Sequence, residues 1–461
     1  MKKLLILLIV TAILLTACGS PAVQVEVTQT SQTTSQKEQT EKTPEATQPP
    51  ANKLDFPDAV ASVSSGSNHT MAVDKDGNLW VWGDNYNGQI GDGNVSTYHD
   101  PIFEGDPNDY HTYLDEPVNG RRDRNVDNDV YTPKLIMKNV IFAVARDDSS
   151  FAVTKDNKLY AWGCNSYGKL GDGTGEQKTT PTFIMDDVRY VDSVNYNTLF
   201  IKTDNTLWAV RSPEFMIPDE EFEFHKPKKL AENVKKAVFD NTKPNTTGIA
   251  VLTTDGEVIG VDTEHGATYE IYYYSKDNDG RVMGQLSDFG YGIINNFSDI
   301  VDISSGAGQQ IFLLDKKGDV FGWGANGSSG KLGIGVNSTG NDDENDLFWV
   351  DTAISITSGV AKLLNGCMFI KNDGALYVWG TNIEWASYKS SSGKVNGFGT
   401  IGDLIVFGPT PVLFLENIIM ADGNIALDRD FKVYTWGQNF HGQLGTGDSE
   451  NRTQPTLISF E

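Results

Sequence analysis

The chain has 461 residues, 46 of them Gly and only 3 Cys. That length fits one large β domain or two to three smaller ones, and three Cys cannot build a disulfide scaffold. A formal charge of −25 repels phosphate backbones and excludes nucleic acid as an expected partner.

Lys2 and Lys3 open a short basic region, and residues 4–15 are an apolar run interrupted only by Thr11. A mature membrane helix needs about 20 apolar residues, so residues 1–17 are expected to be a signal peptide. The run closes on Leu15-Thr16-Ala17-Cys18, which resembles a bacterial lipobox. That resemblance implies cleavage before Cys18, lipidation of its sulfur, and anchoring to a bacterial cell membrane on the extracytoplasmic side. Residues 18–55 are rich in Thr, Gln and Pro and hold no aromatic residue. Such a stretch has too little apolar surface to offset the entropy of ordering and is expected to be a disordered tether.

Residues 56–461 repeat themselves. Met71-Ala72-Val73-Asp74-Lys75-Asp76-Gly77-Asn78-Leu79-Trp80-Val81-Trp82-Gly83 has relatives at 151–163, 200–210, 250–261, 312–324, 368–380 and 425–437. Each alternates apolar residues, turns, and alternates again. Turn pairs such as Asp76-Gly77, Asp255-Gly256 and Asp373-Gly374 tolerate the positive φ of tight hairpins. A short apolar stretch such as Ile300-Val301-Asp302-Ile303 precedes most hairpins. Before that comes a proline-led strand, as at Pro133, Pro181 and Pro411, suited to an outer edge where a missing N–H is tolerated. The pattern predicts an all-β, seven-bladed β-propeller of four-stranded blades. Residues 455–460 form a proline strand with no hairpin after it. They are expected to complete the first blade, so that the C-terminal strand closes the ring.

Trp82-Gly83-Asp84-Asn85…Gly88-Gln89-Ile90-Gly91-Asp92-Gly93 recurs as Trp162-Gly163-Cys164-Asn165…Gly168-Lys169-Leu170-Gly171 and as Trp436-Gly437-Gln438-Asn439…Gly442-Gln443-Leu444-Gly445. Trp323-Gly324-Ala325-Asn326…Gly330-Lys331-Leu332-Gly333 is a fourth copy. These segments resemble the regulator of chromosome condensation repeat, which implies a seven-bladed propeller. Units three and four lack the Trp-Gly pair, with Trp208-Ala209 and Ile259-Gly260 in its place, and are assigned by hairpin pattern.

Asp74-Lys75-Asp76-Gly77 lacks the terminal Glu of a calcium loop and reads as a hairpin turn. Asp277-Asn278-Asp279-Gly280 falls in a longer loop, where a metal is harder to dismiss. His69 is expected to be buried and bonded to a neighbouring blade. The six His show no i, i+4 pair on a helix, so no metal site and no cofactor is expected. Cys164 and Cys367 occupy inequivalent repeat positions and are expected to be free thiols. No nucleophile elbow, phosphate loop or metalloprotease helix is present.

Insertions at 100–131, 212–224 and 341–346 are acidic and read first as solvated loops, though loops on a rigid scaffold are also where binding resides. The expected function is a non-enzymatic, monomeric scaffold, tethered by lipid and presenting rim loops to a protein or cell-envelope partner. In the resembled family a secreted inhibitory branch binds protein through rim aromatics. The corresponding loops here carry Tyr86, Tyr167, Trp385 and Phe440 as anchors, or as residues packed between blades. A cell-wall or carbohydrate hydrolase would instead require convergent carboxylates in the central funnel. Guanine-nucleotide exchange, an activity the family also implies, is disfavoured by export.

Overall fold

The computed structural model describes residues 62–98, 124–210, 225–240, 248–261, 268–269, 299–306, 310–327, 330–335, 349–380, 398–401, 404–407 and 409–460. They form seven four-stranded antiparallel sheets, the blades of a propeller ring. Blade 1 consists of Ser62–Ser65, His69–Val73, Leu79–Gly83 and Val130–Met137. Blades 2 to 7 begin at Val140, Val188, Val234, Ile300, Val360 and Ile418 and follow the same order. Blades 3 and 4, assigned from the hairpin pattern alone, are complete four-stranded sheets. The first strands pack on the first and second strands of adjacent blades and so surround the axis. Two small two-stranded sheets, Thr97–Tyr98 with Arg124–Val126 and Phe398–Ile401 with Leu404–Phe407, lie outside the blades.

The grouping of strands into blades differs from the sequence expectation in one respect. Each proline strand is an outer edge, but it belongs to the sheet of the hairpin before it. Leu135 pairs with Trp80, Phe183 with Tyr160, Leu413 with Tyr377 and Leu457 with Tyr434. The C-terminal strand Arg452–Ile458 therefore completes blade 7 and does not complete blade 1. The reason lies in the link to the next blade, where Asn139, Asp187, Asn233, Asp299 and Asn417 have φ between 60 and 74°. After Gly, Asn and Asp are the residues that visit this left-handed region most readily. The turn carries the chain over the hairpin of its own blade, where Val140 N–H meets the Gly77 carbonyl at 3.0 Å. It then delivers the chain to the axis as the next first strand.

Blade 7 meets blade 1 as other neighbours meet. The Trp82 indole N–H donates to the Gln443 carbonyl at 2.9 Å, and Thr70 Oγ1–H donates to the same oxygen at 2.7 Å. Trp162 with Ser150 bind the Gln89 carbonyl, and Trp379 with Cys367 bind that of Lys331. Trp82, Trp162 and Trp379 thus each hook the repeat loop of the blade before their own. Gly445 lies against this indole with φ 72°, and a Cβ there would stand 2.8 Å from Trp82 Nε1. Val63, Ala72 and Trp82 pack with Ile419, Ile425, Leu427, Val433 and Ile458 across the seam. The Phe460 ring lies 5.6 Å from Trp80 and 6.0 Å from Trp82. The C-terminal segment does close the ring, through side chains rather than strand pairing with blade 1.

His69 is fully buried, with Nε2 2.9 Å from Ser150 Oγ in blade 2. Burial holds its pKa down at about 3, with Lys169 adding to the shift. The neutral imidazole favours the fold above the ordinary His value of about 6.5, and that contribution is lost as acid protonates the unfolded chain. Asp74 caps its own turn. Its Oδ1 accepts from the Asp76 and Asn78 amides, and its Oδ2 from Asn78 Nδ2 and Trp80 Nε1. Cys164 and Cys367 are not joined in a disulfide.

Candidate functional site

The repeat loops between third and fourth strands share one face of the ring. In blades 1, 2 and 7 the loop is folded by the Asn of its Trp-Gly-x-Asn segment. Asn85 Oδ1 accepts from Ile90 N–H at 3.1 Å while its amide donates to the Asn94 carbonyl at 3.1 Å. Asn165 and Asn439 do the same, toward Leu170 and Thr174 and toward Leu444 and Asp448. One amide side chain thus satisfies both donors and acceptors of a short irregular loop, which makes the loop a rigid mount for the residues after it.

Those residues include three of the expected anchors. Tyr86 is 49% exposed, and Phe440, at the same repeat position, is half-buried. Tyr167 stands one position later with φ 58°. It leans on Tyr196 of blade 3, ring centroids 4.6 Å apart, so it packs between blades. Tyr196, 39% exposed, is an aromatic of this face that the repeat loops did not reveal, because it lies in the turn between first and second strands. Trp385 and Cys18 lie outside the described residues, as do residues 212–224, 277–280 and 341–346 and most of 100–131.

The position held by Tyr167 is held by Asn87 in blade 1 and His441 in blade 7, and all three reach across a seam. Asn87 Nδ2 donates to Asp148 Oδ2 of blade 2 at 3.2 Å. His441 Nδ1 lies 3.0 Å from Asp129 Oδ2 and 3.7 Å from Asp84 Oδ1 in blade 1. Burial pushes Asp84 up to about 6; the His441 imidazole opposes this, and Asp129 and Asp148 reinforce it. Burial also raises Asp148, against the pull of Lys169. Lys169, itself buried, donates to the Asn195 carbonyl at 3.1 Å and lies 3.7 Å from Asp147. From blade 7 through blades 1 and 2 to blade 3, the face is therefore acidic and studded with aromatic rings.

The axis offers a second polar cluster. Arg146 Nε binds Asp192 at 2.9 Å, and its Nη1 binds Asp422 at 2.7 Å and Ser64 Oγ at 3.1 Å. Lys236 binds Asp302 at 2.6 Å. Burial lowers Lys362 to about 8, against the pull of Asp302. These carboxylates are tied to cations that join blades, which is not the acid and base pair a funnel hydrolase requires.

Seven Trp-hooked or hairpin-matched blades and their Asn-stapled loops define a repeat propeller that presents loops from a rigid ring. Residues 60–89, 156–195 and 432–461 match the family described as Regulator of chromosome condensation (RCC1) repeat. The chain thus carries segments of this repeat. It is 26% identical over 335 residues to the human E3 ubiquitin-protein ligase HERC2, covering 68% of this chain and 6% of that protein. It is 28% identical over 167 residues to the Ultraviolet-B receptor UVR8 of Arabidopsis thaliana, covering 34% of each. The chain thus spans a small part of the first of these relatives and about a third of the second. Among solved structures, Prp20p of Saccharomyces cerevisiae aligns with 87% of this chain and 76% of its own, at 16% identity and a TM-score of 0.41.

Proposed function

We propose that this chain is a binding scaffold that holds a protein partner on the loop face of blades 7, 1, 2 and 3. The supporting observation is the pairing of exposed Tyr86, on a loop fixed by the Asn85 staple, and exposed Tyr196 with Asp147 and Asp148, which lie with Tyr196 in turns between first and second strands. Tyrosine gives large contact area at low entropic cost, and a field of carboxylates selects and steers a basic partner. Its occupant is therefore a protein with a basic, apolar-centred surface. Lipid on Cys18 and the tether of residues 18–55 would hold the ring outside a bacterial cell membrane, a reading supported by the lipobox-like sequence.

Capture from the cell envelope by the full chain tests the face. Replacing Tyr86 and Tyr196 together by Ala is expected to remove two anchors worth about 2 kcal/mol each. Partner binding then weakens by roughly three orders of magnitude, while the melting temperature stays within about 2 °C because both rings are surface groups. Equal retention of the same protein by wild type and a folded double mutant would refute the assignment. Fractionation tests the anchor. Cys18→Ser is expected to move the protein from membranes to the soluble fraction, and unchanged membrane association would count against a lipid on that sulfur.

A further inference from the structure

We propose that Asp84, Asp129 and His441 form a binding site for one divalent transition-metal ion of the zinc class, which clamps blade 7 to blade 1. The three come from separate segments: the end of the third strand of blade 1, the approach to its fourth strand, and the repeat loop of blade 7. Their ligating atoms all lie within 4.8 Å of one another. The two separations from His441 Nδ1, 3.0 and 3.7 Å, match the edge of a coordination shell with bonds of about 2.0–2.2 Å.

Each carboxylate is oriented from outside the trio. Asp129 Oδ1 accepts from Asn85 N–H at 3.1 Å and from Ser96 Oγ–H at 2.6 Å, which turns Oδ2 toward the imidazole. Asp84 Oδ2 accepts from Gln89 Nε2 at 3.2 Å, while Oδ1 faces His441 and also meets the Tyr86 amide at 3.2 Å. The Gln443 side chain takes the His441 main-chain N–H at 2.9 Å and fixes that loop. Outer hydrogen bonds of this kind orient ligands in metal sites.

Charge balance argues in the same direction. Asp84 and Asp129 are both buried. A divalent ion beside a neutral imidazole would match the charge of two ionised carboxylates, as burial of charged groups requires of a partner. One imidazole with two carboxylates suits a first-row transition ion better than calcium, which prefers oxygen alone. The His441 side chain is 20% exposed, so one side of the ion would stay open to water or to a donor from a partner. Such a clamp would act beside the Trp82–Gln443 bond.

Titration calorimetry and thermal melting of the untagged, chelator-stripped full chain with zinc chloride test this. The expected result is one zinc per chain, unaffected by millimolar calcium, with a melting temperature raised by zinc. His441→Ala is expected to weaken zinc binding at least 30-fold and to abolish the zinc-dependent rise. Cobalt(II) in the wild type provides a readout that does not depend on any variant folding, because bound ion gives a visible absorption band that zinc displaces. No saturable zinc uptake and no cobalt band in the wild type would overturn the site, leaving a carboxylate–imidazolium pair only. So would a folded His441→Ala variant that binds zinc as tightly as wild type.

Discussion

Deleting residues 452–461 is expected to lower the melting temperature by on the order of 10 °C and to expose the outer side of blade 7. The lost strand pairs Val433 with Ile458, Tyr434 with Leu457 and Thr435 with Thr456. It also carries buried Ile458 and the Phe460 ring that covers Trp80 and Trp82. Full burial of one such side chain contributes about 1.5–3 kcal/mol; with Phe460 only half-buried, the pair supplies about 2–4.5 kcal/mol. The unpaired edge left behind is a further liability, since it can pair with another chain. Calorimetry measures the drop, and hydrogen exchange locates it. Protection should vanish first in Val433–Gly437, the strand that loses its partner, while Leu79–Gly83 keeps its bonds to Val130–Met137. A deletion variant that melts within a degree or two of wild type would show that the seam does not depend on this strand.

The same strand marks the boundary of what could be read from the sequence. Seven hairpins were legible because period-two alternation and Asp-Gly turns are local signals, repeated often enough to exclude chance. The blade count followed, and His69, Cys164 and Cys367 could be placed by repeat position. Which sheet a proline strand joins was not legible. The two residues at Lys138-Asn139 look like any tight turn, yet the chain there leaves one blade and begins the next. Only the pairing of Leu135 with Trp80 settles it. The loop face was legible in part, because Tyr86 and Phe440 follow the staple Asn and must lie near the surface. His441 and Asp129 were not, being 312 residues apart with the ring closed between them. The one available clue was that His441 shares its repeat position with Asn87 and Tyr167, and that position reaches across a seam in every described copy.

Replacing Arg146 by Met is expected to cost about 3–5 kcal/mol at pH 8, the usual price of leaving buried charges without their partner. The guanidinium joins Asp192 of blade 3, Asp422 of blade 7 and Ser64 of blade 1 to blade 2, so its loss is felt by four blades at once. Met retains most of the side-chain volume, which separates the charge effect from a cavity. Burial already raises the Asp192 pKa, and Arg146 is the first influence holding it back; without Arg146 the carboxyl rises further. A carboxyl whose folded pKa lies above its unfolded value of about 3.9 is penalised when ionised, and acid relieves the penalty. The variant should therefore recover stability relative to wild type as pH falls from 8 toward 5. Adding Asp192→Asn should recover part of it at pH 8. Urea denaturation at the two pH values reads both effects. A loss below 1 kcal/mol, or one that does not change with pH, would mean that the axial cluster is solvated and that the blades are held together by their Trp hooks and apolar faces alone.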